Sequence, residues 1–184
     1  MKIILNLALI SCLLITSIIA SPWLGSPKVP EAQSKPIKPD IVHKDLNYSG
    51  KLVGDKRIAL VAENDWKIGL TNLDLSCNDL SEYGVAAFAP YLNSTIKRLD
   101  LWGNKIGDKG MIKLAPSLPP GLEIITLSDN GITDVGVIAL AEHMPKSLIQ
   151  INLYSNKIGV KGQNRLRDLG FQKKPENLWE RFVP

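Results

Sequence analysis

A chain of 184 residues has room for one domain with appendages. Apolar residues make up 45% and charged residues 22%, the balance of a folded protein rather than a disordered tract. The net charge of +4 is small and the basic residues are scattered, so no run exists to grip phosphates and no nucleic-acid partner is expected.

Residues 1–20 have the composition of a leader. Lys2 precedes an uncharged apolar stretch from Ile3 to Ala20, and Ser21-Pro22 follows. A positive charge, an apolar core and a small residue before a turn are the parts of a secretory signal peptide, with Ala20 the last residue removed. The alternative is retention as an anchor, since the stretch is near the minimum that spans a bilayer. The expected location is secreted or periplasmic, with the membrane a partner only if the leader stays. No Cys follows the apolar run, so a lipid-anchored bacterial lipoprotein is not expected. Cys12 lies in the leader, which leaves Cys77 as the single thiol of the processed chain and excludes an internal disulfide. Residues 21–43 are proline-rich, bury little and read as a spacer; Trp23 within it decides nothing.

From residue 44 the pattern changes. Gly54–Asn64 reads like the helical half of a unit seen later, with Ile58, Leu60 and Ala62 echoing IALAEH at 138–143. The strand half, KDLNYS at 44–49, is degenerate, so 44–69 is expected to cap an array.

The array itself is four copies over 70–169. Asn78, Asn104, Asn130 and Asn156 stand at 26-residue intervals, as do Gly84, Gly110, Gly136 and Gly162, and Phe88, Leu114, Leu140 and Leu166. Three positions in register over four copies indicate a solenoid. The first half of a copy, such as LEIITLSDNGI at 122–132, alternates as a short strand with one buried face. The second half, TDVGVIALAEHM at 133–144, puts Val137, Leu140, Ala141 and Met144 on one helical stripe, with Asp134 placed to cap the first turn. Consecutive strands are therefore expected to lie parallel. Residues 170–184 supply Phe171, Leu178, Trp179, Phe182 and Val183 to close the far end.

The strand segment resembles that of the leucine-rich repeat, L-x-x-L-x-L-x-x-N-x-L. The helical return is most similar to the ribonuclease-inhibitor-like class, although a period of 26 is short for it. The resemblance implies an α/β fold, a short right-handed solenoid with a parallel sheet on the concave side and short helices on the convex side. Ribonuclease inhibition itself is not implied. Each repeated Asn is expected to satisfy backbone groups at the turn after its strand, since its amide offers an acceptor and two donors. The asparagines are scaffold.

Little in the sequence suggests chemistry. His43 and His143 are the only histidines, and neither has a neighbour at metal-ligand spacing. There is no Gly-rich phosphate loop and no nucleophile elbow, so no cofactor, metal or catalytic residue is assigned and no enzyme is expected. Cys77 shares its repeat position with Gly103, Asp129 and Ser155, a position read as tolerant of anything small or polar. Asn47-Tyr-Ser49 and Asn93-Ser-Thr95 match glycosylation sequons, a short pattern that chance also produces.

Binding is the reading that remains. A helix is about 10 Å wide and strands sit about 4.8 Å apart, so the stack bends with its sheet inside. The rows expected to point out from that face are Asn72, Asp74, Ser76; Arg98, Asp100, Trp102; Ile124, Thr126, Ser128; and Gln150, Asn152, Tyr154. From them the partner-binding set is Asp74, Arg98, Asp100, Trp102, Thr126, Asn152 and Tyr154. Two aromatics on a small open face are interface anchors. Asp74 and Asp100 should lie side by side, a like-charge pair that either Arg98 relieves or a partner's cation does. Four five-residue strands give a face of about 320 Å². That is below the roughly 800 Å² per partner of a standard interface. A monomer that binds a protein or peptide, with a basic segment on this face, is the expectation. A membrane-tethered envelope protein and a bacterial protein directed at a host are its alternatives.

Overall fold

The computed structural model describes residues 45–66 and 69–181. The leader, the spacer with Trp23, His43, Phe182 and Val183 lie outside the described residues. Five strands, β1 (Asp45–Asn47), β2 (Asn72–Asp74), β3 (Arg98–Asp100), β4 (Ile124–Thr126) and β5 (Gln150–Asn152), each lead into a helix. The helices are α1 (Gly54–Asp65), α2 (Glu82–Phe88), α3 (Gly107–Leu114), α4 (Asp134–Glu142) and α5 (Val160–Asp168). The chain then forms β6 (Gln172–Lys173) and β7 (Leu178–Glu180). The sheet order is β1-β2-β3-β4-β5-β7-β6, with β1 to β5 parallel and β7 antiparallel to both its neighbours. This is an α/β leucine-rich-repeat-type solenoid with an open sheet. Among the described residues, no helix is long and apolar enough to cross a membrane.

The strands are shorter than expected, three paired residues rather than five, because the chain bends into the turn straight after the third. The middle residues Leu73, Leu99, Ile125 and Ile151 point inward and are buried, as are Leu75, Leu101, Leu127 and Leu153 two places on. Opposite them, Phe88, Leu114, Leu140 and Leu166 come down from the helices. Truncating one such residue to Ala costs about 2–5 kcal/mol.

Two hydrogen-bond ladders join the units. On the strand side the Asn amides bridge backwards. Asn104 Oδ1 accepts from Asn78 N at 3.1 Å and Leu80 N at 3.0 Å, while Nδ2 donates to Leu75 O at 3.0 Å and Leu101 O at 2.9 Å. Asn78, Asn130 and Asn156 repeat this arrangement. On the helix side the expected cap is reassigned. Thr133, not Asp134, caps α4 by accepting from Val135 N at 3.3 Å. Asp134 instead reaches forward to accept from Gly159 N at 2.7 Å. Asp108 accepts from Thr133 N at 2.8 Å, Thr133 Oγ1 at 2.7 Å and Gly136 N at 2.9 Å. Asp55 holds Ser81 in the same way. Glu82, one methylene longer, makes no such bond among the described residues.

Three of the four repeated glycines follow from this second ladder, while at Gly110 a Cβ would meet Ile106 Cγ2 at 2.5 Å instead. A Cβ at Gly136 would sit 2.7 Å from Asp108 Oδ1, and one at Gly162 would sit 2.7 Å from Asp134 Oδ1. The residue before each repeated Asn, and Gly50 at the same place in the first unit, is set by backbone, not by tolerance for small or polar groups. Gly50, Cys77, Gly103, Asp129 and Ser155 all have φ between 51° and 67°, the left-handed region that favours glycine.

At the β5 end, Trp179 is fully buried on β7 and Phe171 nearly so. Arg181 lies over the Phe171 ring at 4.9 Å and donates to Pro145 O, Lys146 O and Leu148 O at 3.0, 2.6 and 2.6 Å. At the other end β1 pairs in register with β2, with Asp45 opposite Asn72 and Asn47 opposite Asp74. The Tyr48 hydroxyl, whose pKa is raised mainly by burial, donates to Asp65 and so ties β1 to the end of α1.

Candidate functional site

In four of the five parallel strands the third residue begins a turn, and its side chain supplies the acceptor that the turn needs. Asn47 Oδ1 takes Ser49 N at 2.8 Å, Asp74 Oδ1 takes Ser76 N at 2.9 Å, Asp100 Oδ1 takes Trp102 N at 2.9 Å and Asn152 Oδ1 takes Tyr154 N at 3.1 Å. These are Asx turns, which Asn and Asp make equally well. The scaffold therefore requires the oxygen at 74 and 100 but not the charge.

The charge is present all the same, and register sets the two carboxylates opposite one another on β2 and β3. Asp74 is well supplied with donors. Asn47 Nδ2 reaches its Oδ2 at 3.0 Å, and Ser76 Oγ reaches its Oδ1 at 2.7 Å. Asp100 has only the Trp102 amide among the described residues. Burial pushes the Asp100 carboxyl above its ordinary value; the Trp102 N–H opposes this, and the charge of Asp74 adds to the rise. Arg98 does not relieve the pair. Its guanidinium forms no ion pair with either carboxylate, and the ion pairs among the described residues are the exposed Lys97–Glu123 and Lys105–Asp79.

Around this pair the sheet face is dished. A shallow depression of about 300 Å³ is lined by Asp74, Arg98, Asp100 and Thr126, together with Asp45, Asn47, Asn72 and Ile124. Four of the seven residues singled out from sequence thus meet in one place. Trp102, Asn152 and Tyr154 do not line it. Trp102 is half-buried and Tyr154 is 37% exposed, both past the ends of their strands. Ser76 and Ser128, expected to face out beside them, are buried.

Sequence reasoning missed Asp45 and Asn47. The signal was there: β1 lies 27 residues before β2, not 26, and sliding KDLNYS by one place sets Asp45-Leu46-Asn47 on Asn72-Leu73-Asp74. Among the described residues, no three His, Cys, Asp or Glu side chains converge as metal ligands would.

Comparison with known proteins bears on the array. No curated protein matches the chain. Residues 70–89, 92–115 and 122–141 match the family described as Leucine Rich repeat. Among solved structures, the fold is similar to that of Leiomodin-1 Actin-Binding Site 2 (ABS2), with a TM-score of 0.52 and 15% identity over 68% of this chain and 78% of that one. At that identity the likeness is one of fold. With three matched stretches, an Asn and an Asp ladder and a parallel sheet in register, the array that holds residues 70–141 is built of leucine-rich repeats.

Proposed function

We propose that this is an exported protein-binding module, a scaffold rather than an enzyme, which takes a cationic segment of its partner on the open sheet face. The observation that carries the reading is the pair Asp74 and Asp100. Their turns could be made by Asn, as at 47 and 152, yet both are charged, adjacent and without a cation. A charged pair that the scaffold does not use costs stability, and a partner's Lys or Arg offsets that cost on binding. The fold neighbour, whose name declares an actin-binding site, supports a protein partner; actin itself is not inferred for this chain. Trp102 and Tyr154 extend the surface beyond the depression, and a domain-sized partner must touch them or the rims.

The test replaces both carboxylates with Asn, which keeps the turns; Ala would remove the acceptor as well. Proteins retained from a lysate by the parent should be lost by Asp74→Asn/Asp100→Asn. Equal retention by both would end the reading. Export is supported by the composition of residues 1–20. Mass spectrometry of the processed chain should find Ser21 first; Met1 would indicate a tether at the membrane instead.

A further inference from the structure

The two facing carboxylates differ in what they can do with a proton. Both oxygens of Asp74 already accept hydrogen bonds. Asp100 uses Oδ1 alone, toward Trp102 N, so a proton on its Oδ2 displaces nothing. The charged groups around it are few. From β2 it faces Asp74, from β4 the uncharged Thr126, and along β3 lies Arg98, which forms no ion pair with it. Asp45 stands two strands away on β1. The neighbour in register is thus a like charge, and the strand carbonyl ladder leaves no backbone donor beyond the turn amide.

We propose that Asp100 is a proton switch for the depression: on acidification it becomes neutral on Oδ2, the like-charge pair is relieved, and the hold on a cationic segment is released. The role of the switch in binding rests on the function proposed above, while the protonation itself is a property of the free protein. Burial as the larger cause and Asp74 as the smaller give a graded expectation.

NMR of the full chain can follow the Asp100 side-chain carboxyl through a pH titration in the parent and in Asp74→Asn. The expected midpoint in the parent is above the ordinary 3.8. In Asp74→Asn it should fall while staying above that value, because burial persists. A parent midpoint at or below it overturns the switch. A lysine octapeptide, added at each pH, reads the consequence. Its affinity should drop by about tenfold or more through the same titration, the loss of one contact to a charged group, and Asp100→Asn should bind weakly at every pH. Binding that is strong and independent of pH also overturns the proposal. A peptide that binds at no pH removes the cationic-segment reading alone, and the midpoint still decides where the proton goes.

Discussion

At the β5 end of the sheet the chain turns back and finishes its own edge, whereas at the β1 end, among the described residues, it does not. The closed end is built from apolar mass and backbone bonds: Trp179 and Phe171 are buried, β7 pairs with β5, and Arg181 holds three carbonyls. The open end gathers Asp45, Asp74 and Asp100 around a depression, with one oxygen of Asp100 carrying no bond. The apolar packing and the backbone bonds at the closed end are explained by folding, and Trp179 Nε1 is the buried polar atom there that lacks a partner among the described residues. At the open end two charges are not so explained, and that difference is the ground on which recognition is proposed there.

Substitutions that respect this contrast can break it. The largest effect belongs to the closed end. Trp179→Ala should cost about 3–5 kcal/mol in denaturant unfolding, the usual loss for a buried Trp. It should leave the Asp100 titration unchanged, and a titration that moves with it would mean the two ends are not separate.

Next in size is the ladder between them. Asn104→Ala strands the amides of Asn78 and Leu80 and the carbonyl of Leu75, while Leu101 O keeps the bond from Asn130 Nδ2; the loss is about 1–3 kcal/mol for each buried group left unpaired. An unchanged melting temperature in both Asn104→Ala and Asn130→Ala would count against the ladder as a source of stability. Smaller again is the turn backbone. Gly103→Ala should destabilise by about 1–2 kcal/mol at φ +67°. Ser155→Gly, at φ +57°, should be neutral or slightly stabilising.

The smallest expected change has the opposite sign and sharpens the contrast. The Asp100 carboxyl is raised in the folded state, so the fold binds its proton more tightly than the unfolded chain does. Its contribution is present below the ordinary value of 3.8 and is lost as pH rises through the folded value. Asp100→Asn should therefore unfold at higher urea than the parent near neutrality, with the gap closing as pH falls through that window. Trp102→Ala should leave stability nearly unchanged while weakening partner binding, and a large loss of stability would make Trp102 part of the scaffold.

Much of this was legible in the sequence because a repeat prints each structural demand several times. The strand leucines, the Asn ladder and the facing of Asp74 and Asp100 follow from spacing alone. What could not be read was whatever depends on a neighbour one unit away. Asp134 looks like a cap for its own helix because the chain is read along its length; its bond to Gly159 exists only once the units stack. Arg98 looks like a counter-charge because it is two residues from Asp100, and only side-chain direction shows that it pairs with neither acid. Asp45 was hidden by one extra residue between strands.

The exception at Glu82 has a mechanical consequence. Asp55, Asp108 and Asp134 each clamp the next unit through backbone amides, half-buried for the first two and exposed for the third, but between α2 and α3 no carboxylate does so among the described residues. That junction is held on its outer side by Lys113, which donates to Glu82 O at 3.3 Å and lies over the Tyr83 ring at 5.2 Å, both contacts being exposed to water. In a stack whose units touch only their neighbours, strength is set by the weakest joint rather than by the average. Pulled from its two ends, or opened by thermal motion, the array should part first along the plane between α2 and α3. Amides of α3 should then exchange with solvent sooner than those of α4, although both helices lie in the middle of the chain.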